Sequence, residues 1–454
     1  MMRRVTMLNI ASRIDQLPMT PMLKKVLLLT GIGWMFDAMD QGMVSGVMAA
    51  IGKEWALDPS QLGLLGSIGM LGMALGAGLS GMAADKWGRR TVIMWTLVIY
   101  GVSSALSGFA VNFTMLLVLR FCTGFGLGGE LPAASTLVSE FSPTRMRGRN
   151  VIILESFWAW GWLIAAFVAY LFIPVYGWRM AFFVGGIPAL FAAFFRMAVP
   201  ESPRYLESVG KTSEAEELLM TMEKQANISS QPKADELATD KLAHLKASFL
   251  DLWGKEYIRS TIVLWVVWFG INFGYYGFVL WTPSLLVAKG FTLTKSFEFT
   301  LIMCLAQLPG YFSAAYLIEK VGRKKVLAIY FAGTALAAWL FGHAGSVEQI
   351  LIYGSMLYFF SLGAWGCVYA YTPEVYPTFF RATGSGWAAA FGRIGAFSAP
   401  FIVPVIYNYY GTEIGYTNVF ITLTLVFAVV AIVVAVFGKE TMGKSLEEIN
   451  KPMV

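Results

Sequence analysis

Apolar residues run along this chain in long stretches separated mostly by short polar breaks. Twelve such runs stand at approximately 26–50, 61–83, 91–110, 113–138, 150–172, 180–199, 260–287, 298–318, 326–344, 349–371, 383–406 and 417–438. A helix of about 20 apolar residues spans a hydrocarbon core of ~30 Å. The pattern therefore predicts an all-α integral membrane protein with twelve transmembrane helices. One polar segment is long and divides the chain into six runs plus six: an N-terminal six-helix bundle over 1–199, a linker with short helices over 200–259, and a C-terminal six-helix bundle over 260–454. The linker is rich in Glu, Lys and Ala, and Thr212 followed by Ala215 and Glu216 opens a short helix. The first run is too long for the apolar region of a cleavable leader.

Composition agrees with this reading. Of 454 residues, 57% are hydrophobic and 14% charged, against roughly 25% charged in an ordinary soluble protein. That excludes a soluble enzyme, a disordered protein and a nucleic-acid binder, although the pI is near 9.0. The basic residues report topology instead. Of the 34 Lys and Arg, 28 fall in the segments on the side of the termini, and only Lys53, Arg179, Lys289 and Lys295 fall in the opposite loops. This bias puts both termini in the cytoplasm, and the short outer loops suit a bacterial inner (plasma) membrane. Cys122, Cys304 and Cys367 sit in apolar runs and read as buried thiols. His244 and His343 are too few and too far apart for a metal centre. No catalytic triad or nucleotide-binding loop is present, so an enzyme is not expected.

The two halves repeat at a constant offset. Asp85-Lys86-Trp87-Gly88-Arg89-Arg90 follows the second run, and Glu319-Lys320-Val321-Gly322-Arg323-Lys324 follows the eighth. Glu140-x-x-Pro143-Thr144-x-x-Arg147 follows the fourth, and Glu374-x-x-Pro377-Thr378-x-x-Arg381 the tenth. Both pairs are 234 residues apart, which implies two pseudo-symmetric halves related by an axis along the membrane normal. Gly88 and Gly322 permit tight turns, and Asp85 is suited to a helix N-terminus or to pairing with Arg147. Asp85, Gly88, Arg89, Arg147, Glu140, Glu319, Arg323, Glu374 and Arg381 are the expected gate. Gly81-x-x-x-Asp85-Lys86-x-Gly88-Arg89-Arg90 resembles the signature loop of the major facilitator superfamily, and Arg120-x-x-x-Gly124-x-Gly126-x-Gly128 resembles its fourth-helix motif. Pro200-Glu201-Ser202-Pro203-Arg204-Tyr205-Leu206 and Gly438-Lys439-Glu440-Thr441 resemble segments of its sugar porters and organic ion transporters. The resemblance covers nearly the whole chain and implies that superfamily's fold and its alternating-access mechanism.

A charge at bilayer depth costs at least ~2.5–3.5 kcal/mol unless it faces a cavity or a partner. Six residues within the runs meet that description: Asp37, Asp40, Arg120, Glu130, Glu155 and Arg393. At 1.5 Å per residue, Asp37 and Arg393 lie ~18 Å and Asp40 ~22 Å from the inner helix ends, near the midplane. Asp37 and Asp40, at i and i+3, share one helix face. They are the expected proton carriers with Arg120 as modulator; Glu130 and Glu155 are weaker candidates for proton release. A static salt bridge that only specifies packing is the alternative. Arg393, in Phe391-Gly392-Arg393-Ile394-Gly395, has no acid near its depth in its own half. It suits capture of a substrate carboxylate, the alternative being pairing with Asp37 or Asp40. Asn272 and Gln307 lie at similar depth, and Tyr275, Tyr276, Trp158, Trp162, Trp34 and Trp365 could stack on a planar ring.

Within the superfamily, Trp34-Met35-Phe36-Asp37-Ala38-Met39-Asp40-x-Gly42 resembles the metabolite:proton symporter branch, and with Pro-Glu-Ser-Pro-Arg-Tyr and Arg393 it is most similar to the NiaP-type niacin (nicotinate) transporters. The resemblance implies proton-coupled uptake of nicotinate, a small aromatic carboxylate, by a monomer in a lipid bilayer. No cofactor is implied beyond the proton as coupling ion. Uptake of a benzoate-type acid, a sugar porter and an exporter are the rival expectations.

Overall fold

The computed structural model describes residues 10–228, 252–376 and 381–442. Among them are helices and connecting turns, with no strand. A short helix α1 (Ile10–Gln16) precedes α2 (Pro21–Glu54), α3 (Pro59–Trp87), α4 (Arg89–Ser107), α5 (Phe113–Phe141) and α6 (Thr144–Tyr176). The sixth apolar run breaks at Gly185 and Gly186 into α7 (Trp178–Val184) and α8 (Ile187–Ala198). Two short helices follow, α9 (Pro203–Ser208) and α10 (Thr212–Ala226). The second half holds α11 (Ile258–Val279), α12 (Thr282–Ala288), α13 (Leu293–Leu305), α14 (Gln307–Val321), α15 (Arg323–Gly342), α16 (Val347–Glu374) and α17 (Arg381–Phe437). α17 carries the last two runs and reverses at Gly411, whose φ is 78°.

Among the described residues, eleven helical stretches are long and apolar enough to cross a membrane. Twelve runs were expected, and α2 is the one outside that set. At 34 residues it has ample length, but Asp37, Asp40 and Gln41 in its middle dilute its apolar character, and all three are buried. A helix that hides its polar face inside a bundle does not need an apolar sequence all round.

The ends of the helices follow from local chemistry. Thr20 caps α2 ahead of Pro21, and Asp58 with Gln61 forms a reciprocal capping box on α3. Gly88 (φ 92°) joins α3 to α4 and Gly322 (φ 110°) joins α14 to α15, the left-handed turns that the paired motifs predict.

Packing repeats in the two halves. α2 lies along α6 and α3 along α5, as α11 lies along α17 and α14 along α16. The glycines of the fourth-run motif explain one of these contacts. A Cβ on Gly124 would strike the Gly69 carbonyl, and one on Gly128 the Met73 carbonyl. The two backbones therefore touch, as small residues permit in membrane helices. The halves meet through α3 on α17, α6 on α13 and α2 on α12. Ser45 Oγ donates to the Val279 carbonyl (3.0 Å) and Ser67 Oγ to the Phe397 carbonyl (3.1 Å). Both bonds lie toward the face opposite α1, since α2 starts and α3 ends on the α1 side.

Candidate substrate translocation site

Near the middle of the bundle, a chamber opens between the halves. The first half supplies Trp34 from α2 and Glu155, Trp158 and Ala159 from α6. The second half supplies Trp268 and Tyr276 from α11, Tyr311 from α14, Leu362, Trp365 and Tyr369 from α16, and Arg393 from α17. The walls are aromatic. Trp34 and Trp158 lie with ring centroids 5.0 Å apart, and Trp365 stacks on Tyr369 at 5.7 Å and 26°. Trp268 stands edge-on to Trp365 and perpendicular to Tyr369. Within this apolar lining stand two ionisable side chains of opposite type: the Glu155 carboxyl on one half and the Arg393 guanidinium on the other. Arg393 forms no ion pair with a described residue, and Tyr276 is its hydroxyl neighbour.

Of the expected substrate contacts, Arg393, Tyr276, Trp158, Trp34 and Trp365 stand in this lining. Asn272, Gln307, Tyr275 and Trp162 do not. The Asn272 amide donates to the Trp268 carbonyl (2.8 Å) and abuts Gly392, and the Gln307 amide faces the Cys304 sulfur (3.5 Å). Tyr275 stands edge-on to both Trp162 and Trp365, behind the wall. Depth along the helix, on which these four were chosen, does not say which face of a helix looks inward. Trp268, Tyr311 and Tyr369 were not singled out. Trp268 had a legible signal, because it is 234 residues from Trp34 and so occupies the same place in the repeat.

The remaining membrane charges separate into two groups. Asp40 is paired with Arg120 in a bond between fully buried groups. Ser104 Oγ also donates to Asp40 (2.5 Å), and the Arg120 guanidinium lies 5.1 Å from the Phe182 ring. A buried ion pair needs such extra donors to offset the loss of water. Asp37, three residues earlier, faces Glu130 and Tyr100 instead. Neither carboxylate of that pair accepts a hydrogen bond from a described residue, and both are fully buried. The two aspartates thus share a helix face but not a partner.

On the face that carries α1, the paired motifs build two matching ion clusters. Arg89 pairs with Glu140 (3.2 Å), and Glu201 accepts from the Arg89 and Arg90 amides at the start of α4 (3.0 and 3.1 Å). In the other half, Arg323 pairs with Glu374 (3.2 Å), and Glu440 accepts from the Arg323 amide (2.9 Å). Thr441 closes that cluster with a 2.5 Å bond to Glu374. A Cβ on Gly88 or Gly322 would run into Glu201 or Glu440, so each glycine serves both the turn and the approach of the acid. Glu201 and Glu440 come from the two sequence segments that resemble sugar porters. Arg147 lies beside Arg204. The side chains of Asp85, Glu319 and Arg381 lie outside the described residues, so the Asp85–Arg147 pairing does too.

Known proteins match this arrangement. The family model described as "Sugar (and other) transporter" covers residues 38–452. The chain is 46% identical to the niacin transporter NiaP of Acinetobacter baylyi over 98% of its own length and 100% of that protein's. It is 43% identical to a Bacillus subtilis protein provisionally named as the niacin/nicotinamide transporter NiaP, over 93% and 98% of the two chains. Its fold superposes on the partially occluded, inward-open xylose transporter XylE from E. coli with a TM-score of 0.74, at 20% identity, covering 93% of this chain and 99% of that one. The chain belongs to the sugar (and other) transporter family, and its two repeated halves with a chamber between them have the fold of a major facilitator superfamily symporter.

Proposed function

We infer that this protein takes up nicotinate together with protons by alternating access. The observation that carries the reading is Arg393, a guanidinium without a described ion-pair partner in a chamber walled by indoles and phenols. A planar carboxylate satisfies both features at once. Its two oxygens match the guanidinium fork, and its ring stacks between Trp34–Trp158 on one half and Trp365–Tyr369 on the other. The 46% identity to a niacin transporter supports nicotinate as that carboxylate. Asp40 and Arg120 form the coupling pair of this reading: a proton on Asp40 frees Arg120, and Arg120 expels the proton when the pair re-forms. The two six-helix halves rock about the chamber, opening on the α1 face when the Ser45 and Ser67 contacts hold the opposite face shut. Both termini are cytoplasmic in this reading, the membrane is a bacterial inner membrane, and the transporter works as a monomer.

The test is uptake of labelled nicotinate into liposomes holding the purified protein. An inward proton gradient accelerates uptake, and Arg393→Ala lowers nicotinate affinity about 10- to 100-fold, the worth of a charge-assisted hydrogen bond at an anion. A rate indifferent to the gradient refutes coupling, and an unchanged Arg393→Ala affinity refutes the carboxylate assignment. Preferential uptake of benzoate would favour the benzoate-type reading.

A further inference from the structure

Glu155 has no role in that scheme, yet it lines the chamber with Arg393. It is 7% exposed and forms no ion pair with a described residue. Arg393 reaches it only as a charge across the chamber, from the other half. The other groups that face it are the Trp34 indole, whose N–H has no acceptor in hydrogen-bonding geometry, and the phenols of Tyr311 and Tyr369. The chamber thus sets one carboxyl and one guanidinium on opposite halves, among aromatic rings.

We propose that Glu155 is the residue that recognises the ring nitrogen of nicotinate and that it takes up a proton as the substrate carboxylate replaces it as the counter-charge of Arg393. The inference rests on nicotinate being the substrate. The charge balance is simple. With Glu155 taken as ionised opposite Arg393 in the empty chamber, the two sum to zero. Nicotinate adds one negative charge and occupies the guanidinium. A second carboxylate left ionised in an aromatic chamber has lost its counter-charge, so it binds one proton from the side on which the substrate entered. The new O–H then donates to the pyridine nitrogen, an acceptor that benzoate lacks. On release the proton leaves Glu155, and the carboxylate again faces Arg393. Each nicotinate carries one proton through this site, with no change in the chamber's net charge.

Proton uptake on binding is read with a pH indicator in weakly buffered solutions of the purified full chain, and transport is read in liposomes. The wild type takes up protons as nicotinate binds, and it binds benzoate about tenfold or more weakly, the worth of one lost hydrogen bond. Glu155→Gln keeps a neutral donor but has no proton to gain. It binds nicotinate within about tenfold of wild type, takes up no proton at this site and carries one proton fewer per nicotinate, so that the same gradient drives less accumulation. Glu155→Leu binds nicotinate and benzoate alike. Equal affinity of the wild type for nicotinate and benzoate overturns the proposal without any variant, and an unchanged number of protons per nicotinate in Glu155→Gln overturns it as well. Wild-type liposomes that take up no nicotinate overturn the transport reading itself, and this assignment with it.

Discussion

At the scale of single residues, the two arginines of the membrane interior divide their work by their partners. Arg120 is locked onto Asp40, with Ser104 as a further donor to the carboxylate. Arg393 is left to the chamber. Removing one member of a buried pair leaves the other charged and unpaired, which costs about 3–5 kcal/mol. Asp40→Asn is therefore expected to lower thermal stability by that order and to remove the response of uptake to a proton gradient, both measurable on purified protein. Arg120→Leu in the same background is expected to recover part of the stability without recovering coupling, because two neutral groups no longer strain the interior. An additive loss in the double variant would show that the pair is not the source of the effect.

At the scale of helices, close approach and anchoring are the themes. α3 and α5 meet backbone to backbone at Gly69–Gly124 and Met73–Gly128. Gly124→Val would force the helices apart, and overpacking of this kind typically costs about 1–3 kcal/mol. The expected result is a lower thermal midpoint, whereas the same change at Gly386, where a Cβ meets nothing within 4 Å, leaves it within about 0.5 kcal/mol. α1 is held differently. Arg13 donates two bonds to Glu223 (2.9 Å each) and two to Glu216 (2.7 and 2.9 Å), tying α1 to α10. Arg13→Ala is expected to free α1 and expose the chain around Pro18 to limited proteolysis, without changing nicotinate affinity. Protease resistance equal to wild type would show that apolar packing of Ile10 and Ile14 suffices.

At the scale of the whole molecule, the face opposite α1 is closed by contacts between the halves. There a Cβ on Gly63 of α3 would lie 2.6 Å from the Pro400 carbonyl of α17. Gly63→Leu is expected to wedge that face open while leaving each bundle intact. Single-cysteine labelling from that side would increase and transport would fall by at least tenfold, because a carrier that cannot close one face cannot complete its cycle. Unaltered labelling would place the moving contact elsewhere. The described contacts of the ion clusters Arg89–Glu140–Glu201 and Arg323–Glu374–Glu440 tie helix ends together inside each bundle.

The amino-acid sequence alone determined the helical membrane architecture and the repeat, and it supplied an expected depth for each buried charge. Those properties depend on hydrophobic length, the placement of Lys and Arg, and rise per residue, all of which are local. It also marked out Arg393, because a guanidinium without an acid in its half is legible from composition. Only the tertiary structure decided which of Asp37 and Asp40 meets Arg120, that Asn272 and Gln307 turn away from the chamber, and that Glu155 lies in its wall. Those outcomes are set by the rotation of each helix about its own axis and by what the opposite half presents to it. Packing fixes both, and 454 residues written in a line leave both open.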